Sequence, residues 1–138
     1  MPKTVVFGTQ LVTLLFNGTA LPWNANTNLY ISLHTDTPTV AGDQTTNEVD
    51  YEGYERVAVT RNSGGFTVNA NSISNTAEIE FPQCEAEPAV EVTYFGIGTA
   101  ATGAGTLLYF AEITDGPVEI DISLIPRIPV SSLEVLEE

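Results

Sequence analysis

Apolar and polar positions alternate along much of this chain, and the cleanest run is Leu29-Tyr30-Ile31-Ser32-Leu33-His34. Leu29, Ile31 and Leu33 project to one face and Tyr30, Ser32 and His34 to the other, the pattern of a strand with one side on a core. The same alternation marks strands at Arg56–Arg61 and at Ala77–Phe81, where Ala77, Ile79 and Phe81 point inward and Pro82 ends the run. Val118–Ile122 repeats the pattern, and Ser132–Val135 predicts a last strand after the interruptions at Pro126 and Pro129. Val90–Gly98 predicts one longer strand with a glycine bulge in Phe95-Gly96-Ile97-Gly98. Asn62-Ser63-Gly64-Gly65 predicts a hairpin-like turn into Phe66-Thr67-Val68, and Gly103-Ala104-Gly105 turns the chain into Thr106–Ala111.

Residues 5–16 break the pattern. Phe7, Leu11, Leu14 and Leu15 fall at helical spacing, and Asn17-Gly18 supplies a stop. The segment is apolar nearly all round, so it requires cover from its own domain or from a neighbour. A polar connection with Pro22 and several asparagines follows over 19–27, and a long, turn-rich loop over 35–50. The expected organisation is one β domain over 1–138, with an N-terminal helix or arm at 1–27 and a body at 28–138. Short strands separated by turns predict an antiparallel β-sandwich or small barrel for that body.

The chain has 138 residues, long enough for one core, with 43% hydrophobic and only 16% charged residues. Eighteen acids against Lys3, Arg56, Arg61 and Arg127 give a net charge of −14. Nucleic-acid binding requires basic side chains that displace counterions, and an anionic membrane repels such a chain, so neither partner is expected. The single cysteine, Cys84, excludes an intrachain disulfide, and the chain is compatible with synthesis in a reducing cytoplasm. Residues 1–8 lack the apolar run and cleavage site of a secretory leader, and no stretch approaches membrane-span length.

Candidate chemistry is sparse. His34, the sole histidine, stands beside Thr35 and Asp36, so either a nucleophile–His–Asp arrangement or a strand-edge histidine held by a nearby carbonyl or hydroxyl fits. No nucleophile-elbow motif accompanies it, which favours the structural reading. One Cys and one His do not build the usual zinc site. Glu48, Asp50 and Glu52 share a face if extended, a pattern that fits calcium but is more often a solvated acidic surface. Phe95-Gly96-Ile97-Gly98 lacks the third glycine and following helix of a dinucleotide fingerprint. No catalytic residue, cofactor or metal ligand is therefore assigned, and the chain is expected not to be an enzyme. The candidate interface residues are aromatic and apolar groups outside the strand cores: Phe7, Leu11, Leu15, Phe16, Trp23, Tyr51 and Tyr54.

Leu29–Thr35, Gly42–Glu48 and Tyr51–Val59, followed by Phe81-Pro82, Thr93–Thr99 and Gly103–Tyr109, resemble a family of small virion structural proteins of tailed bacteriophages. The resemblance spans about residues 5 to 136, and this chain is more acidic than the pattern at Glu48–Glu55 and Glu78–Glu91. Members are described as capsid decoration (cement) proteins or as tail-fibre proteins. The resemblance implies a structural role on the virion with no catalytic residues. It implies first a decoration protein on the outer head surface, a homotrimer bound to the major capsid protein, and as the alternative a tail-fibre or tail-tip component that binds the host surface. The absence of a repeat or coiled coil weighs toward decoration.

Overall fold

The computed structural model describes residues 2–137. One helix, α1 (Val5–Asn17), precedes eleven short strands. They are β1 (Asn28–His34), β2 (Val57–Thr60), β3 (Phe66–Asn69), β4 (Ser72–Asn75), β5 (Ile79–Glu80), β6 (Val90–Val92), β7 (Tyr94–Gly98), β8 (Leu107–Glu112), β9 (Val118–Ile120), β10 (Arg127–Ile128) and β11 (Glu134–Leu136). The main sheet has the order β2-β1-β7-β8 and every pairing in it is antiparallel. Smaller antiparallel sheets follow, β11-β4-β3, β10-β5 and β6-β9. The fold is mainly β with one short N-terminal helix, and among the described residues no sheet closes into a barrel, so that alternative is set aside.

All four sheets contribute to one core. Ile31, Leu33 and Ile97 from the main sheet meet Ile79, Phe81, Val92, Ile120, Leu133 and Val135 from the smaller sheets and their flanks. Each fully buried aliphatic or aromatic side chain here is worth about 1.5–3 kcal/mol relative to exposure. The strand read at Leu29–His34 is real but is not two-faced in the expected way. β1 lies inside the main sheet, so Ser32 and His34 on its second face are buried too.

Three local expectations change. Val90–Gly98 is two strands: the chain breaks at Thr93, where Thr93 N–H donates to His34 O and Ile113 N–H to Thr93 O, and β6 and β7 enter different sheets. The turn at 62–65 does not close a hairpin between β2 and β3. It is a corner that carries the chain from the main sheet to the three-stranded one, and Gly65 is required there because a Cβ would lie 2.0 Å from Thr60 O. The hairpin is instead β3–β4, turning at Ala70-Asn71, with Ala70 at φ 56. The expected bulge falls on the partner strand instead: Ile97 faces Tyr109 and Gly98 faces Leu107, so the extra residue is Leu108 of β8 and not a glycine of β7.

Candidate attachment surface

α1 begins where Thr4 caps it. The Thr4 hydroxyl accepts from Phe7 N–H at 3.3 Å and donates to Leu107 O, so the cap also ties the helix to β8. Gly18 ends it in the left-handed region (φ 67), and its N–H donates to Leu14 O at 3.2 Å. Residues 2–4 lie along β8: Lys3 bridges Tyr109, and Thr4 N–H donates to Leu108 O at 3.1 Å. Phe7 is the one buried residue of α1, set edge-on to Tyr109 (5.3 Å) and tilted against Trp23 (6.0 Å).

At 100° per residue, Phe7, Gln10, Leu11 and Leu14 share the face turned to the body, Val5, Thr9, Val12 and Phe16 share the opposite one, and Leu15 lies on the open flank beside it. That outer face is apolar and open: Leu15 is 67% and Phe16 80% exposed, with Val5 and Val12 more than half exposed. The Thr9 hydroxyl, the polar group of that stripe, donates back to Val5 O at 3.0 Å and so has no free proton to offer to solvent. Val40, also exposed, extends the patch, since its carbonyl accepts from Val5 N–H at 2.8 Å.

Charge sets this end of the molecule apart. Residues 1–35 contain Lys3 and no acid, whereas all 18 acids and the three arginines lie from Asp36 onward. The outer face of α1 is thus an uncharged apolar surface on a strongly anionic protein. Its exposed aliphatic and aromatic groups make the outer face of α1 the candidate attachment surface.

The arm is not loose. Trp23 Nε1–H donates to Gln10 Oε1 at 2.8 Å, and the Arg61 guanidinium sits 5.0 Å from the Trp23 ring centre. Arg61 also donates to Asn24 O (3.0 Å) and Asn26 O (3.2 Å), clamping the 19–27 connection to β2's end. At the other side Glu137 accepts from both Lys3 and Tyr109, joining the first and last described segments. Burial alone would raise the Glu137 carboxyl, but its bonds to Lys3 and Tyr109 prevail and hold it below the ordinary value.

The candidate interface residues therefore divide. Leu15 and Phe16 are open, Leu11 and Trp23 are half-buried against the body, and Phe7 and Tyr51 are core residues that offer no surface to a partner. Tyr51 is inward because its hydroxyl donates to Pro82 O at 2.7 Å, and burial pushes its phenol up to about 12. Tyr54 lies edge-on to Tyr51 and stacked on Phe81, donates to Glu48 Oε2 at 2.6 Å, and accepts from Leu33 N–H at 3.2 Å. Val5, Val12 and Val40 belong to the open patch without any mark in the sequence, because an exposed valine and a core valine look alike there.

The two places where the sequence permits chemistry are both structural. His34 is fully buried, with Nδ1 2.8 Å from Thr46 O and Nε2 2.8 Å from Ser32 Oγ. The carbonyl fixes the proton on Nδ1, so Nε2 accepts from the Ser32 hydroxyl. This is a serine–histidine contact, yet a carbonyl stands where a triad needs a carboxylate, and Ser32 is itself fully buried. Glu48, Asp50 and Glu52 do not converge: Glu48 takes a two-point ion pair from Arg56 at 2.8 and 2.9 Å, while Asp50 and Glu52 face solvent. Among the described residues no group of three potential ligands could hold a metal ion.

None of the curated proteins matches this chain. A protein-family model does match, over residues 3–135 and so from the start of the β8-bound arm to β11. The chain belongs to that family of bacteriophage virion structural proteins, described as Podophage GP4 fiber I protein gp80.

Proposed function

We propose that this protein is a non-catalytic component of the virion's fibre, held in place by the outer face of α1 packing on a neighbouring virion protein. The observation that carries the reading is the open stripe Val5, Val12, Leu15 and Phe16 on an arm without acids. The family's description as a fibre protein supports the fibre over the head. The occupant is a different protein rather than a second copy, because bodies carrying a net charge near −14 repel one another. Burying the stripe would recover about 1.5–3 kcal/mol for each large side chain covered.

Head decoration, with the major capsid protein as neighbour, is the second reading. It is favoured by the short strands gathered on one core, with no repeat or coiled coil among the described residues. Quantifying the protein in purified virions separates the two. A few copies, fixed relative to tail proteins, support the fibre; a simple ratio to the major capsid protein overturns it in favour of decoration. Weighing the isolated protein in solution tests the occupant: a monomer agrees with a foreign neighbour, and a homotrimer dispersed by Phe16→Lys would assign the face to self-association.

A further inference from the structure

A second surface lies away from α1. An open cavity of about 490 Å³ lies among β8, β9, β10 and the start of β11. Its walls are apolar, chiefly Phe81, Val92, Phe95, Val118, Ile128 and Leu133. Glu112, Asp115 and Glu134 border it, against one base, Arg127, which lies 3.5 Å from Glu78 and 3.8 Å from Glu80. Among the described residues no buried side-chain nitrogen or oxygen lacks a partner, so no preset polar group waits to orient a sugar or nucleotide.

The strand that borders it is incomplete. Among the described residues β9 is paired as a strand only with β6, in a two-stranded ribbon, which is marginal by itself. Val118 and Ile120 of β9 line the cavity, so Glu119 between them points to the other face. There it stands directly across from Glu91 of β6, and both are exposed. Like charges at opposed positions destabilise a strand pair. β9 thus combines an unpaired edge, an apolar hollow on one face and uncompensated negative charge on the other.

We propose that β9 accepts an added strand from a neighbouring virion protein, and that this strand alternates apolar with basic residues. Its backbone would pair with the free edge of β9. Its apolar side chains would enter the hollow beside Val118 and Ile120, and its lysines or arginines would lie beside Glu119, with Glu91 one strand further on. This is strand addition, in which backbone bonds supply affinity and alternate side chains supply specificity. The chain cannot serve as its own partner, since its four basic residues include no alternating apolar–basic run.

The test uses the full chain, nitrogen-15 labelled, titrated with a blocked heptapeptide of alternating valine and lysine. The controls are the same residues in block order and a valine–glutamate version. The expected result is saturable binding of the alternating basic peptide alone, with amide shifts on β9 and around the hollow. Glu119→Lys should weaken that binding about tenfold while raising the melting temperature, because it also removes the repulsion from Glu91. No saturable binding, equal binding of the block-order peptide, or an unchanged affinity in Glu119→Lys would overturn the proposal. Asp115→Asn, at an exposed position, supplies a second variant that should weaken binding a few-fold if the rim attracts the basic strand.

Discussion

Replacing Arg56 by methionine is the sharpest test of what holds the loops of this protein together. Its side chain is only 4% exposed, and Glu48's is 15% exposed. Arg56 Nε and Nη2 donate to Glu48, Nη1 donates to Ala100 O at 2.9 Å, and Nη2 donates also to Gly103 O at 2.7 Å. One guanidinium therefore ties the 35–50 loop, through Glu48, to the 99–105 loop. Burial works against its charge, but the Glu48 carboxylate more than offsets this and raises the guanidinium above its usual value. In Arg56→Met the carboxylate keeps only Tyr54 as a donor, Gly103 O loses the guanidinium, and Ala100 O keeps only the Gln44 amide. Stranding one member of a buried pair costs about 3–5 kcal/mol, a large part of the roughly 5–15 kcal/mol that stabilises a domain.

For a chain of this length that loss corresponds to a fall of roughly 10–20 °C in melting temperature. The assay is reversible urea unfolding of Arg56→Met, Glu48→Gln and the double variant. In the double variant the neutral amide at position 48 can still accept from Tyr54 and no charge is stranded, so it should lie within about 2 kcal/mol of the unaltered protein. A loss below about 1 kcal/mol in Arg56→Met, or a double variant no more stable than that single one, would refute the reasoning.

Further outcomes follow from other parts of the structure. Leu15→Lys and Phe16→Lys, at exposed positions, should change unfolding free energy by no more than about 0.5 kcal/mol yet sharply reduce incorporation into virions, read by complementation and mass spectrometry. Gly98→Ala should destabilise by about 1–3 kcal/mol, because its Cβ would fall 2.1 Å from Cδ of the buried Gln44, which is held by Ala100 N–H and Ala100 O; urea unfolding reads the loss. Burial holds the His34 imidazole below its ordinary value, against the raising effect of its bond to Thr46 O. The unfolded chain then binds a proton that the folded chain does not, so stability should be whole above about pH 6.5 and decline as pH falls below it toward the folded value. A urea midpoint that stays flat from about pH 7 to 5 would contradict that placement of His34.

How far the sequence carried the fold depended on whether a segment's neighbours were local. α1, with its stop at Asn17-Gly18, was legible because spacing and cap lie within the segment. β1 was legible as a strand, but the burial of Ser32 and His34 was not, since it comes from β7 and the 35–50 loop. β4 and β10 left little signal. Ser72-Ile73-Ser74-Asn75 has one large apolar side chain, and Arg127-Ile128 sits between two prolines. The break at Thr93 leaves a mark, a slip in which the inward positions pass from Val90 and Val92 to Phe95 and Ile97, but a bulge explains such a slip equally well, and only the pairing of the halves with strands far apart in sequence shows that they part. Of the candidate surface, Leu15 and Phe16 were legible from the sequence. Phe7 carries the same apolar label, and only its contacts with Tyr109 and Trp23 show that it faces inward.

The distribution of charge links the two surfaces. With every acid beyond residue 35, copies of the body repel, while the acid-free arm can approach a neighbour without that penalty. An attachment made through the outer face of α1 should therefore depend little on salt, because burial of Leu15 and Phe16 drives it. The β9 edge is the opposite case. Its apolar hollow is bordered by Glu112, Asp115 and Glu134 against one base, Arg127, and its other face carries Glu91 and Glu119, so a strand added there should bring positive charge and be weakened by salt. Attachment that persists at high salt, together with loss of the second contact, is the pattern that two such differently charged faces require.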